Sequence, residues 1–189
     1  RGREVAVSVQ DDPPLGEGVG WELGGSFEQL GDTQVFEFAP SGQWNSRYAV
    51  LRGDVGLAVA DGTLTPSYRT ALTGGLAWVG RRPYASRPIR DAFTVVKVGE
   101  LQGVRVMRNS EVLGRTDRHG VILLPDVSSH YDNQISVSDR DVPIEYALPR
   151  VLQYVSPPLR GGSCVGFGLT RIQPVVGRLA LAGPDGPEP

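Results

Sequence analysis

The sequence predicts an all-β protein in which an antiparallel meander of long strands precedes a small seven-stranded β-sandwich. Three observations predict this class. Glycine and proline, 25 and 15 of 189 residues, interrupt the chain too often for long helices. The longest stretch free of both, residues 126–142, has no apolar stripe of helical period. Elsewhere apolar residues alternate with polar or small ones, as they do on strands with two unlike faces.

The first half of the chain carries the long strands. Residues 5–9 alternate valine with polar or small residues, and Trp21, Leu23 and Phe27 alternate with small or polar residues in the next segment. An Asp61-Gly62 turn then leads into a further strand. These segments run to about ten residues, longer than the five or six that are usual in sandwiches, and this length favours barrel strands.

The strand predicted over residues 67–79 suggests what the apolar face contacts. Aromatic residues lie at both ends of its apolar side. Ten residues at about 3.3 Å each, tilted by roughly 40°, rise by about 25 Å, the height of the apolar band on a transmembrane barrel. A sandwich strand with one buried face has the same alternation, so both structures remain open. On the barrel interpretation the lipid-facing side chains are Trp21, Leu23, Phe27, Tyr68, Leu72, Leu76 and Trp78.

The second half of the chain has a different residue pattern, with turns at shorter intervals. Residues 81–91 hold two prolines and four arginines without alternation, which indicates a boundary. Two turns then set a register, one at Asn109-Ser110 and one at 117–120, and Pro125 is expected to end a strand. Short strands are predicted at 93–98, 104–108, 112–116, 121–124, 134–137, 146–155 and 163–169, which together make a seven-stranded sandwich.

The residues that usually carry chemistry form no recognisable constellation. The net charge is −2 without a basic cluster, so nucleic acid is not an expected partner. His119 and His130 lack metal-ligand spacing, and no Gly-x-Ser-x-Gly elbow is present. Cys164 is expected to be a small buried side chain. We therefore predict no enzymatic activity, catalytic residue, cofactor, metal or small-molecule substrate.

Several motifs in order resemble the end of the barrel and the first carboxyl-terminal domain of fimbrial ushers. They are residues 74–80 (GGLAWVG), 86–96 (SRPIRDAFTVV), 113–120 (LGRTDRHG) and 124–125 (LP), and weaker similarity continues to about residue 181. The residues that carry the resemblance are Ser86, Arg87, Pro88, Asp91, Phe93, Gly114, Thr116, Asp117, Gly120 and Pro125.

The resemblance implies a role in the chaperone-usher pathway of pilus assembly. It implies terminal barrel strands over 1–83 in a Gram-negative outer membrane, a linker at 84–92, a periplasmic sandwich at 93–169 and the truncated start of a second domain at 170–189. The implied partners are outer-membrane lipid and periplasmic chaperone-subunit complexes, while the partner-binding residues stay unassigned. The alternative is a soluble transthyretin-like binding module, whose first half would bury its apolar side chains between two packed sheets.

Overall fold

The computed structural model describes residues 3–31, 33–173, 182–183 and 186–187. The fold class predicted from the sequence is confirmed, because the regular structure of these residues is β apart from one 3-10 turn at Asp139–Asp141. A six-stranded antiparallel meander comes first, with neighbours in chain order. Its strands are β1 (Arg3–Asp11), β2 (Gly18–Leu30), β3 (Thr33–Asn45), β4 (Ala49–Ala60), β5 (Thr63–Val79) and β6 (Arg82–Ser86).

Local chemistry explains the connection between β4 and β5. Asp61 and Gly62 have φ values of 49° and 77°, and positive φ at both central residues defines the type I′ turn that matches the twist of two flanking strands. The predicted turn is confirmed. Twelve residues of β4 then pair in continuous register with β5, from Ala60 opposite Thr63 to Ala49 opposite Gly74.

Seven strands form the predicted sandwich, in two sheets of order β10-β7-β14 and β13-β11-β8-β9. Inward-facing side chains of both sheets form one core around Val96, Leu113, Ile135 and Phe167. The remaining short strands pair in twos, β12 with β15 and β16 with β17. The bounds are β7 (Ala92–Val98), β8 (Arg105–Arg108), β9 (Glu111–Arg115), β10 (Val121–Val127), β11 (Asn133–Val137), β12 (Tyr146–Ala147), β13 (Leu152–Val155), β14 (Gly162–Phe167), β15 (Thr170–Arg171), β16 (Ala182–Gly183) and β17 (Gly186–Pro187).

Proline accounts for three differences from the predicted elements. Pro125 does not end its strand, because β10 continues to Val127 through a register shift, and proline is tolerated at such a bulge. The strand expected over 146–155 is two strands separated by Pro149. The linker expected at 84–92 is shorter, because residues 82–86 form β6, an edge strand that accommodates Pro83.

Two further expectations differ from the structure or lie outside it. Cys164 is exposed rather than buried, because Val165 and Phe167 point into the core and the alternation of β14 turns Cys164 outward. Most of the second domain expected at 170–189 lies outside the described residues. Its boundary with the sandwich stays a prediction.

Candidate functional site

One face of the meander is apolar across five neighbouring strands. Antiparallel partners project their side chains to the same side, so the register assembles apolar residues into rows. One row runs through Val5, Phe27, Phe36, Val59 and Leu64. A second row, nearer the other end of the strands, runs through Val19, Trp44, Leu51 and Leu72. We call this surface the apolar face.

The apolar face is exposed. The seven side chains predicted to be lipid-facing, Trp21, Leu23, Phe27, Tyr68, Leu72, Leu76 and Trp78, keep between 38% and 89% of their surface accessible. Soluble monomers rarely expose a contiguous apolar patch larger than a few hundred Å², and larger patches mark membrane or protein contacts. The chain therefore presents an apolar sheet face for which it supplies no cover among its described residues.

The opposite face of the same sheet is polar or lined with small residues. One row across it contains Gln10, Glu22, Ser41, Asp54 and Arg69. The Arg52 guanidinium lies 3.4 Å from the Asp54 carboxylate on this side. An apolar face backed by a hydrophilic face is the pattern of a sheet that separates hydrocarbon from water.

The end of β5 leaves the sheet and forms a hairpin with β6. Pairing with β4 stops at Gly74, and residues 75–79 pair only with β6. Leu76 and Trp78 share the side of β5 that carries Leu72, but they lie beyond the end of the four preceding strands. The structure thus separates these two residues from the other five predicted lipid-facing side chains.

Arg87 connects the meander to the sandwich. Its guanidinium is buried, with 5% of the residue exposed, and donates hydrogen bonds to the carbonyl of Ser46 at 3.2 Å and to that of Leu15 at 3.1 Å. These carbonyls lie in the β3-β4 and β1-β2 loops. Burial lowers the pKa of Arg87, and the carboxylates of Asp126 and Glu17 oppose this shift.

The same two loops cover two edges of the sandwich. Arg47 donates from its guanidinium to the carbonyl of Val121 on β10 at 3.0 Å. Gly16 lies so close to β9 that a Cβ atom there would overlap the carbonyl of Val112. The Asn45 side-chain amide braces the β1-β2 loop by donating to the carbonyl of Pro14 at 2.8 Å. Edges β9 and β10 therefore face the meander.

The other residues that carry the family resemblance hold the sandwich together. Thr116 accepts a hydrogen bond from the amide of Val104 at 3.0 Å, and Asp117 accepts from the amides of His119 and Val121 at 2.8 and 2.9 Å. Two of the remaining members form hydrogen bonds: the Ser86 hydroxyl donates to the Arg87 carbonyl, and Asp91 accepts from the Ser129 amide. Three make packing contacts, Pro88 beside Arg87, Phe93 against Gly162 and Gly114 against Ile122. The last two shape the backbone, because Gly120 has positive φ and Pro125 lies at the bulge of β10.

The sandwich edges away from the meander are β13 and β14, each paired on one side only. The amide of Val137 donates to the carbonyl of Val151, so odd-numbered residues of β13 direct their backbone groups toward β11. The amides and carbonyls of Leu152 and Tyr154 consequently point outward, and 63% of the Tyr154 surface is exposed. Sequence reasoning assigned no partner-binding residues, because edge position is a property of the sheet order.

Residues 3–31 and 33–173 contain no cluster of three or more His, Cys, Asp or Glu side chains suited to a metal ion. Within the part of the chain that the structure describes, no helix has the length and apolar character needed to cross a membrane.

The fold defines a class of β protein in which an open, long-stranded sheet with an exposed apolar face carries a docked seven-stranded sandwich. No family model and no curated protein matches the chain. A chain in the cryo-EM structure of the E. coli P pilus tip assembly intermediate PapC-PapD-PapK-PapG, in its second conformation, has a similar structure.

That likeness has a TM-score of 0.54 at 16% identity and covers 85% of this chain. It covers 22% of that chain, so the present chain spans about a fifth of its structural neighbour. At this identity the likeness concerns the fold alone. The fold is shared with a component of a pilus assembly complex, in agreement with the usher-like fold that the motifs imply.

Proposed function

We propose that this chain is part of an outer-membrane usher that assembles pili, with the meander in the membrane and the sandwich on the periplasmic side. The observation that carries the proposal is the exposed apolar face, backed by a polar face and joined to a docked sandwich. The soluble two-sandwich alternative requires the same side chains to be inward, and their exposure argues against it.

The two faces of the meander support the membrane part of the proposal. In hydrocarbon every backbone polar group needs a partner, and the pairing of β1 to β5 supplies partners along the sheet except at Ala39 and Pro40, where the β3–β4 pairing is interrupted. The outer edges over the apolar face, on β1 and on residues 63–73 of β5, are open, because β6 pairs only with residues 75–79. On this proposal other strands of the same protein pair with these edges and close the barrel, as lipid demands.

The arrangement of the sandwich supports the partner-binding part. Loops of the meander cover β9 and β10, whereas β13 and β14 are each paired on one side only, and the Gln153 side chain of β13 already binds the outward Gly166 carbonyl of β14. An extended segment of a chaperone-subunit complex can add to such an edge through backbone hydrogen bonds, a reaction that requires no nucleotide or cofactor. We propose β13, with its outward Leu152 and Tyr154, as the edge that receives it.

The experiment uses the protein that contains this chain, extracted from outer membranes of cells that also express the candidate chaperone and pilus subunits. Tyr154→Pro removes an outward amide that β11 does not use, and is expected to abolish recovery of the chaperone-subunit complex. Tyr154→Thr keeps the amide and is the matched control, which should retain most of the recovery.

The outcomes separate the parts of the proposal. Full recovery with Tyr154→Pro would exclude β13 as the docking edge. Failure of the unmodified protein to recover any chaperone-subunit complex would remove the pilus-assembly role. Absence of the protein from the outer-membrane fraction would remove the membrane role of the apolar face.

A further inference from the structure

The outer face of the four-stranded sheet of the sandwich carries a short apolar row. Val112 on β9 lies opposite Met107 on β8. Met107 in turn lies opposite Ser136 on β11, and Ser136 lies opposite Leu152 on β13. Antiparallel partners place their side chains on the same side of a sheet, so these residues form one row across all four strands. We call this row, Val112, Met107, Ser136 and Leu152, the outer row.

The outer row ends at the free edge of β13. Leu152 is half-buried, because β11 flanks it on one side and no strand of the described chain flanks it on the other. Tyr154, two residues farther along the same side of β13, keeps 63% of its surface exposed. The amides and carbonyls of these two residues point away from β11. The backbone groups that an added strand would bond therefore belong to the same two residues whose side chains are uncovered.

Gln153, between them, projects to the opposite side of the sheet, toward β14. Its Nε2 donates to the Gly166 carbonyl at 2.7 Å. This hydrogen bond lines the gap between the two sheets with polar groups. A residue of an added strand that faced the gap would meet an amide and a carbonyl instead of apolar side chains.

We propose that β13 selects an extended segment in which two apolar residues flank one polar or small residue. The residue opposite Leu152 extends the outer row, and the residue opposite Tyr154 packs beside the exposed aromatic ring, since apolar cross-strand pairs stabilise a sheet. The residue between them faces Gln153 and the Gly166 carbonyl. The pattern reads the same in both chain directions, so it holds for a parallel or an antiparallel segment.

This inference rests on the proposed function, because the occupant is a segment of the chaperone-subunit complex. A second copy of the chain offers the same pattern in residues 152–154 of its own β13. However, β13 has four residues, and two such strands alone bury less than the roughly 800 Å² per partner of a stable interface. A contact of this size suits a complex that is delivered and then released.

The first test measures recovery of the chaperone-subunit complex by the full protein in detergent. Leu152→Ser keeps the backbone edge but removes the apolar side chain, and should lower recovery by about two- to fivefold. The matched control is Val112→Ser, which removes an exposed apolar side chain at the far end of the outer row. Recovery by this control should equal that of the unmodified protein.

Two synthetic peptides test the pattern directly, by fluorescence anisotropy with the full protein. One is Ser-Thr-Val-Thr-Val-Thr-Ser, and the other has the same composition with adjacent valines, Ser-Thr-Val-Val-Thr-Thr-Ser. The alternating peptide should bind about two- to fivefold more tightly, and Tyr154→Pro should abolish this difference. Leu152→Lys should instead favour the alternating peptide with glutamate in place of one valine, because opposite charges then face each other across the strands.

Three results would overturn the inference. They are equal recovery by Leu152→Ser and Val112→Ser, equal affinity of the unmodified protein for the two peptides, or a dimer in native mass spectrometry that Tyr154→Pro dissociates, which would make a second copy the occupant. The proposed function fails in a different way. An unmodified protein that distinguishes the peptides but recovers no chaperone-subunit complex would contradict the proposed occupant and the pilus-assembly role, while the pattern selected by β13 would be retained.

Discussion

The buried side chain of Arg87 helps to fix how the two halves of the molecule meet. Its guanidinium donates to carbonyls in two separate loops of the meander, those of Leu15 and Ser46. A planar group with several donors can span both carbonyls, whereas the lysine ammonium is a compact point donor. The shape of the guanidinium thus lets Arg87 bind both loops at once, and the carboxylates of Asp126 and Glu17 nearby balance its charge.

Arg87→Met is expected to weaken the docking of the sandwich by about 2–4 kcal/mol, because it removes two hydrogen bonds that a buried, charged donor makes to the loops of the meander. Hydrogen-deuterium exchange should show faster exchange in the loops at 12–17 and 46–48. Arg87→Lys should give an intermediate effect. The exposed neighbour Arg90 provides the control, and Arg90→Met should leave exchange in both loops unaltered; equal effects of the two Met variants would contradict the docking role of Arg87.

Asp141 is the other residue with a specific electrostatic role. Its Oδ2 accepts from the Arg105 amide at 3.0 Å and from Nε at 2.7 Å, and its Oδ1 accepts from Nη2 at 3.1 Å. These hydrogen bonds from Arg105 lower the pKa of Asp141. A carboxyl whose folded pKa is depressed stabilises the fold above its unfolded pKa, about 3.9, and loses that contribution as the pH falls through the folded pKa.

Asp141→Asn is therefore expected to lower the Tm of the sandwich at pH 7, with the difference from the unmodified protein shrinking below about pH 4. Thermal unfolding at pH 7, 5, 4 and 3 measures this dependence. Asp139→Asn, on an exposed carboxylate of the same turn, is the control and should show no such pH-dependent difference. A difference for Asp141→Asn that stays constant down to pH 3 would contradict the assigned ion pair.

Some of these residue roles were accessible from the sequence and others were not. Asp117 and Gly120 were predicted to form a turn, because their local chemistry is sufficient for that inference. Arg87 was selected by its family motif, but its acceptors are 41 and 72 residues away in the chain, so no local pattern could identify them. The exposure of Cys164 likewise depends on which face of β14 packs into the core.

At the level of elements, the turn between β8 and β9 shows the clearest conflict between sequence and geometry. Asn109 and Ser110 form a two-residue turn with φ values of 49° and 72°. Asparagine tolerates this left-handed conformation, while serine at the second position is strained. The Asn109 side chain also accepts from the amide of Gln134 at 3.3 Å.

Ser110→Gly is expected to stabilise the sandwich by about 0.5–1 kcal/mol, because glycine adopts positive φ without steric cost. Denaturant unfolding monitored on the sandwich measures the change. Ser110→Ala removes the hydroxyl but keeps the Cβ, and should give no stabilisation. Equal gains from glycine and alanine would mean that the hydroxyl, rather than the backbone conformation, carries the cost.

Strand existence was easier to predict than strand extent. Alternation found the long strands of the meander but not β6, and it found all seven strands of the sandwich, since period-two patterning directly reflects two unlike faces. Proline was the main source of error, as at Pro83 and Pro125, because its effect depends on whether the missing amide faces a partner. Whether the missing amide faces a partner depends on the order of the strands in the sheet, and the alternation of residue types gives no information on that order.

At the level of the whole molecule, the meander has one apolar and one polar face, and the sandwich packs against the loops at one end of its strands. The alternation predicted two unlike faces but left open whether the apolar one met lipid or a second sheet. The structure adds that the described chain provides no second sheet over it. What contacts the apolar face is therefore a question for an experiment on the intact protein in a bilayer.

Val55, near the middle of β4, and Ala58, three residues farther along the strand, offer a paired test of its two faces. Val55 lies opposite Tyr68 on the apolar face, and Ala58 lies opposite Glu37 on the polar face. If the apolar face meets hydrocarbon, Val55→Arg places a charge near the bilayer midplane and should destabilise the inserted protein by about 2–4 kcal/mol. Ala58→Arg introduces the same side chain on the hydrophilic side and should cost well under 1 kcal/mol.

Urea unfolding of the full protein in phosphatidylcholine vesicles measures both variants under one condition. The difference between them, rather than either value, carries the inference, because any general cost of adding an arginine to β4 cancels. The same pair compared in detergent should show a smaller difference, since a micelle deforms more readily around a charge than a bilayer does. Equal stability of Val55→Arg and Ala58→Arg in vesicles would mean that Val55 does not meet hydrocarbon, and this result would contradict the membrane role of the meander.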